Sequence, residues 1–442
     1  MRIQLSEHFT YSKLLRFTFP SIVMMIFTSV YSVVDGLFVS NFVGKTSFAA
    51  VNLIYPVLMM LGSLGFMVGT GGTAIVAKTE GQGKPELANR YFSMLVCAAG
   101  AGGVAIALLG QLFIRPISAA LGAEGAMLED CVLYARIILA ANPFFILQNV
   151  FQSFFVMAEK PKLGLGVSIG AGLVNIVLDA LLVGALHLGL TGAAAATAIS
   201  QMVGGLVPVL YFLRENDSLL QLTRPRFNGR VLVRTCTNGS SELMSSISGS
   251  LVNILYNFQL MRLAGEDGIA AYGAIMYVSF IFAAIFIGYA IGSAPVVSYH
   301  YGAEDREEVH SLLYKSAVLV ALGGVAMAVT GVAVSAPLAQ IFVGYDRELY
   351  SLTVQGFRLY AISYLLCGFN IFGSSFFTAL NNGLASAMIS FLRTLVFQCA
   401  SVLILPVFLD VDGIWLSISV AEAAALAVTL LLLAKNRNIY GY

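Results

Sequence analysis

Almost the whole chain is divided into apolar runs of about 20 residues or more, each long enough to cross the ~30 Å hydrocarbon core of a bilayer as a helix. Short clusters of Gly, Pro or charge separate them. Backbone polar groups inside hydrocarbon must be satisfied within the segment, so such runs fold as helices. Twelve spans are expected, at 14 to 42, 48 to 77, 90 to 114, 131 to 157, 161 to 186, 190 to 213, 231 to 262, 268 to 298, 309 to 335, 349 to 378, 383 to 408 and 412 to 434. The charged linker Arg214 to Arg230 divides them into six and six. The expected fold is therefore an all-α polytopic membrane protein with an N-lobe (1–213), a cytoplasmic linker (214–230) and a C-lobe (231–442).

The residues between the spans set orientation, because cytoplasmic loops hold the excess of Lys and Arg. With the N-terminus inside, the outer loops hold only Lys45, Arg115, Arg262 and Arg347, against seventeen basic residues on the inner side. Both termini are expected in the cytoplasm. A net charge of +1 leaves no basic domain to grip nucleic acid. The five cysteines stand singly, with no spacing for zinc or a disulfide framework, and the four histidines form no metal-spaced group. No phosphate-binding GxxxxGK[ST] run is present. No cofactor and no enzymatic activity are expected.

The two halves repeat. A shift of 221 residues places Ala50 on Ala271, Gly71 on Gly292, Glu86 on Glu307 and Pro116 on Pro337; a shift of 222 places Arg136 on Arg358 and Ser153, Phe154 and Phe155 on Ser375, Phe376 and Phe377. Six spans per copy make both copies enter the membrane in the same sense, a parallel repeat about an axis along the membrane normal, with a central cleft between two lobes.

Charges within spans are costly, about 2.5 to 3.5 kcal/mol each on insertion scales, so each needs a partner or a role. They are Asp35, Asp179, Glu242, Arg393 and Glu422. Asp35, Asp179 and Thr197 each lie about seven or eight residues from the outer end of their span, which at 1.5 Å per residue puts them at one level. Asn175 is one turn from Asp179 on the same helix face. Two buried carboxylates repel when both are ionised, so one keeps a proton near neutral pH unless a cation takes its place. Oxygen ligands of this kind suit a hard ion such as Na⁺. Asp35, Asn175, Asp179 and Thr197 thus form a candidate coupling site for H⁺ or Na⁺; the alternative is a polar network that only clamps spans 1, 5 and 6. The repeat places Tyr256 and Ser401 where Asp35 and Asp179 stand, so the acidic pair is confined to the first copy. Arg393 and Glu422 lie at similar depth and are expected to pair. Glu242 either lines the cleft or reaches toward the inner surface. Tyr31, Asn142, Asn149, Gln152 and Gln201 are assigned to the first-lobe cavity, because facing lipid would be costly. Pro20 removes a helical hydrogen bond and is a candidate hinge. Gly65 with Gly69, Gly166 with Gly170, and Gly288 with Gly292 have the spacing of close helix packing.

These residues resemble the multidrug and toxic compound extrusion (MATE) family, and the likeness covers essentially the whole chain. The segment Pro20 to Gly44, with VDGLFVSNFVG, is similar to that family's first helix, and Asn175, Asp179 and Thr197 match in order and spacing the cation site of its prokaryotic members, with Asp35 as the fourth residue. The resemblance implies export of amphipathic, often cationic organic compounds in exchange for H⁺ or Na⁺ by alternating access, in the inner (plasma) membrane. A monomer is expected. One departure is Asn370, where some members carry an aspartate on the tenth helix. The rival reading is a lipid-linked oligosaccharide flippase of the same superfamily, whose cavity needs several Arg or Lys; Arg393 is the one clear mid-membrane cation.

Overall fold

A computed structural model of the chain describes residues 3–43, 45–344 and 346–442; of residues 32, 33, 35–41, 45, 48 and 342 it describes the backbone alone. The first half is α1 (Tyr11–Phe42), α2 (Lys45–Gly81), α3 (Pro85–Ala120), α4 (Gly125–Met157), α5 (Pro161–Leu178, continued by a π-helical turn Asp179–Ala185) and α6 (Gly189–Leu213). The second half begins with Ser240–Gly302, which breaks at Gly265 (φ 61°, ψ −148°) into α7 (240–264) and α8 (266–302). α9 is Arg306–Val343, and α10 consists of Arg347–Ala361 and Tyr364–Ala379, which meet at 47°. α11 comprises Gly383–Phe391, a π turn Leu392–Phe397 and residues 398–409, and Asp410 (φ 48°) separates it from α12 (411–440). Twelve spanning helices result among the described residues, and the chain is a multi-pass membrane protein.

Local chemistry fixes these limits. Pro85 and Pro161 open α3 and α5, where a missing N–H leaves nothing unpaired. Asp305, Asp346 and Asn382 cap α9, α10 and α11 by accepting backbone N–H groups of the first turn. The seventh span starts later than apolarity indicates. Residues Gly229–Asn238 form a separate short helix, capped by Asn228, with Arg230 and Arg234 exposed and Thr235 and Asn238 buried. The break falls at Gly239, which lies so close to Met67 and Gly71 of α2 that a side chain has no room.

The repeat is visible in the backbone. Left-handed residues end matching helices: Gly83 (φ 73°) with Glu304 (φ 59°), Glu159 (φ 57°) with Asn381 (φ 60°), and His187 (φ 51°) with Asp410 (φ 48°). Phe154, Phe155, Phe376 and Phe377 are all buried.

Three main apolar cores describe how the lobes meet. One runs through both lobes, from Leu5, Phe9, Phe92 and Phe154 to Val296, Leu312 and Phe376, at the end of the molecule that holds both termini. Toward the opposite end the first lobe has its own core around Ile54, Leu139 and Leu190, and the second has another around Tyr256, Tyr272 and Trp415. The lobes are therefore joined at the terminal end and separate away from it. An N-terminal strap reinforces the join: Leu5 N donates to Glu159 Oε1 of the first lobe at 2.7 Å, and Phe9 N donates to Glu308 Oε1 of the second at 2.8 Å.

Glycines set the closeness of this seam. A Cβ on Gly288 would lie 2.5 Å from Ile22 Cα, and one on Gly292 would lie 2.9 Å from Thr18 Cα, so α1 and α8 touch backbone to backbone. Gly71 and Gly239 do the same between α2 and the start of α7. Gly65 and Gly69 pack on α4, but Gly166 and Gly170 face open space; on α5 it is Gly172 that receives a neighbour, the ring of Phe27. Spacing alone does not say which glycines meet another helix. Gly239→Ala is expected to open the seam, since the added carbon meets backbone that has no rotamer to escape through. Spin labels at Glu86→Cys and Glu307→Cys, both exposed at the terminal end, should move apart in pulsed resonance measurements; an unchanged distance would count against the packing role.

Candidate functional site

In the first lobe, α5 ends its regular winding at Asp179. The π turn widens the helix by one residue, with Leu186 N bonded to Leu181 O five residues back at 2.8 Å. Such single π turns loosen backbone bonding locally and recur at functional sites. Asp179 is fully buried, and Asn175, one turn below, is 1% exposed. Asn175 Nδ2 donates to Thr197 Oγ1 of α6 at 3.5 Å, while Asn175 Oδ1 accepts no hydrogen bond among the described residues. A buried acceptor without a donor costs about 1–3 kcal/mol, and a cation or protonated group alongside would recover it. Ser200 Oγ donates to Ala171 O at 2.7 Å and holds α6 against α5 below this level.

α1 supplies the third side. Phe27 and Tyr31 lie against Gly172, and Asp35 follows Tyr31 by one turn on the same helix. The side chain of Asp35 lies outside the described residues. Helix α1 runs without interruption through Pro20, whose neighbours Ser21 and Ile22 form the seam with Gly288.

The remaining polar residues of the first lobe divide by their partners. Asn149 Nδ2 donates to Gly62 O at 3.1 Å, a link between α4 and α2. Gln152 and Gln201 are buried, and neither Oε1 has a partner among the described residues. Asn142 is also buried, with its Nδ2 unbonded among them. Glu242 sits in the first turn of α7, half-buried, with Ser246 Oγ bonded to its carbonyl at 3.1 Å.

The second lobe contains a charged network in place of an acidic pair. Arg393, in the π turn of α11, places Nη2 2.7 Å and Nε 2.8 Å from Glu422 Oε1. Asn370 Nδ2 of α10 donates to Glu422 Oε2 at 2.7 Å, and Thr429 Oγ1 of α12 donates to Asn370 Oδ1 at 2.9 Å. The Arg393 to Glu422 pair read from depth is formed. Asn370 and Thr429 were not linked to it by sequence, although a lone Thr inside the run LAVTLLLLA was a signal that something polar faced it. Each lobe thus carries a charged residue at the start of a π turn, an acid in the first and a base in the second.

Comparison with known proteins covers most of the chain. The family model described as MatE matches residues 20–181 and 243–402. Multidrug export protein MepA of Staphylococcus saprophyticus is 22% identical over 429 residues, covering 97% of this chain and 93% of that one. Among solved structures, a crystal structure of MATE in complex with MaL6 superposes with a TM-score of 0.93 at 22% identity and covers 98% of both chains. The outward-facing conformation of a multidrug resistance MATE family transporter of the MOP superfamily gives 0.92 at 22% identity, over 98% of this chain and 97% of that one.

Proposed function

The chain belongs to the MatE family, and from that premise we propose that it is a secondary antiporter of the plasma membrane that exports amphipathic, often cationic organic compounds in exchange for H⁺ or Na⁺. The observation that carries this reading is the buried Asp179 at the start of a π turn, one helical turn from Asn175, whose Nδ2 donates to Thr197 and whose Oδ1 is an unbonded acceptor among the described residues. With Asp35 on the adjoining helix, these oxygens suit a proton or a small hard cation. The name of the MepA relative, a multidrug export protein, supports outward transport of drug-like compounds.

Both termini are assigned to the cytoplasm by the excess of Lys and Arg at their end of the chain. The shared core then closes the cytoplasmic side, and the cleft opens outward. Coupling requires only that cation and substrate favour different arrangements of the first lobe, with α1 bending at Pro20 as the moving part. Tyr31, Gln152 and Gln201 offer polar contacts to the substrate, and Glu242 is placed for the closing cytoplasmic end of the cleft.

The test is efflux of a cationic dye from proteoliposomes under an imposed gradient of H⁺ or of Na⁺, the second at fixed pH. Acceleration by one of the two gradients is expected. Equal rates with and without either gradient would exclude antiport.

A further inference from the structure

Residues 3–10 cross the terminal end of the seam before α1 begins, and both lobes hold them. Leu5 and Phe9 are fully buried. Leu5 N donates to Glu159 Oε1, in the turn between α4 and α5, at 2.7 Å. Gln4 N donates to Glu7 Oε1 at 3.0 Å and Glu7 N to Gln4 O at 3.3 Å, a turn that keeps the segment short. The second lobe clasps the residues that follow. Glu308, in the first turn of α9, accepts Phe9 N on Oε1 at 2.8 Å and meets His8 Nδ1 with Oε2. Lys315, two turns further along the same face of α9, donates its Nζ to Phe9 O. Both backbone polar groups of Phe9 are thus taken by side chains of one second-lobe helix. Its ring stands edge-on to Phe17 of α1 at 5.7 Å and to His300 of α8 at 6.5 Å.

Along the chain the order of these attachments is first lobe, second lobe, first lobe. Leu5 is tied to the first, His8 and Phe9 to the second, and from Tyr11 the chain is α1, which lies on α5 through Phe27 and Gly172. The tied N–H groups of Leu5 and Phe9 can stand no more than about 14 Å apart even in a fully extended segment. Parting of the lobes at this end therefore loads the clasp at Glu308 from both directions, while the Leu5 end moves with the lobe that holds it. The clasp is also the end that water reaches, since 67% of the His8 side chain is accessible. Water can take the strap's place as its bonds to Glu308 and Lys315 break, which lowers the cost of release. Beneath the strap the helices meet by packing: a Cβ on Gly81 would lie 2.1 Å from Tyr299 O, and one on Gly302 would lie 2.1 Å from Lys78 O. Packing is non-directional, whereas charge-assisted bonds to Glu308 have one geometry and are either made or lost.

We infer that Glu308, with Lys315, is the catch of a cytoplasmic latch: it holds His8 and Phe9 while the cleft faces outward and lets them go when the lobes part on the cytoplasmic side. The joined state then has a discrete fastening in addition to its apolar core. The inference rests on the reading that the two lobes alternate in access.

The full chain, with its five native cysteines replaced by alanine, carries the test. Spin labels at Glu86→Cys and His310→Cys, exposed on the two lobes at this end, report the separation in lipid nanodiscs with no gradient and no dye. Glu308→Ala is expected to raise the ratio of parted to joined molecules about tenfold, the effect of losing one hydrogen bond to a charged group, and Glu308→Gln, which keeps an acceptor for Phe9 N, by less. An unchanged distance distribution in Glu308→Ala overturns the latch. In proteoliposomes, His8→Cys with Glu308→Cys is joined by a short bis-methanethiosulfonate bridge. Dye efflux is expected to stop while the bridge is in place and to return on reduction, which also shows that the doubly substituted protein is folded; neither single variant should be stopped by the reagent. Export by the bridged protein at the unbridged rate overturns the latch as well. The distance measurement involves no ion coupling, so an intact gradient response with unmoved labels removes the latch and leaves antiport standing.

Discussion

With Asp35→Asn and Asp179→Asn combined, gradient-driven efflux of a cationic dye is expected to fall by about 5- to 150-fold, the range that corresponds to a typical coupling free energy between two sites. Asparagine keeps the size and one oxygen of aspartate but cannot exchange a proton for a cation, so the site loses its switch and keeps its shape. Asp179→Asn alone should give most of the loss. Its carboxylate is fully buried at the π turn, and it is one turn from the Asn175 oxygen that is unbonded among the described residues. Dye binding measured without a gradient should persist in the variants. Wild-type efflux rates in the double variant would exclude these residues from coupling and leave the first-lobe cluster as a clamp between α1, α5 and α6.

Glu422→Ala is expected to cost about 3–5 kcal/mol of stability, the usual result of removing one partner from a buried ion pair. The reason is what remains. Arg393 would retain its charge in the membrane interior with both its bonds lost, and Asn370 would lose the acceptor of its 2.7 Å bond. Replacing both ions, Arg393→Met with Glu422→Leu, should recover much of the loss, because the desolvation cost of the pair disappears with it. Thermal unfolding of the purified variants in one detergent decides the matter. A single variant as stable as wild type, or a double variant no better than the single, would show that the pair contributes nothing to holding α10, α11 and α12 together.

Much of this was legible in residue order. Helical spans follow from run length, and the candidate site follows from the cost of placing Asp179 and Asn175 in hydrocarbon. What escaped were events that depend on a neighbouring helix. Residues 231–239 continue the seventh apolar run, yet a bend at Gly239 is imposed by α2, whose Met67 and Gly71 leave no room for a Cβ. Gly166 and Gly170 have the same spacing as Gly288 and Gly292, but only the latter pair meets a helix. The π turns at Asp179 and Arg393 carry no composition signal, because one inserted residue in a helix leaves hydrophobicity unchanged.

The sequence by itself determined that this chain spans a membrane as two copies of a six-helix unit, because bilayer thickness and backbone hydrogen bonding admit few other solutions for such apolar runs. It also determined which residues are too polar to face lipid. Only the tertiary structure decided what those residues do there. It joined the lobes at the terminal end through a shared core, assigned Asn149 to a carbonyl of α2, left Asn175 Oδ1 without a donor among the described residues, and bound Glu422 of α12 to two residues of two other helices, Arg393 and Asn370. The physical reason is that burial cost depends on residue type, which sequence records, whereas its compensation depends on hydrogen-bond geometry between segments far apart in the chain.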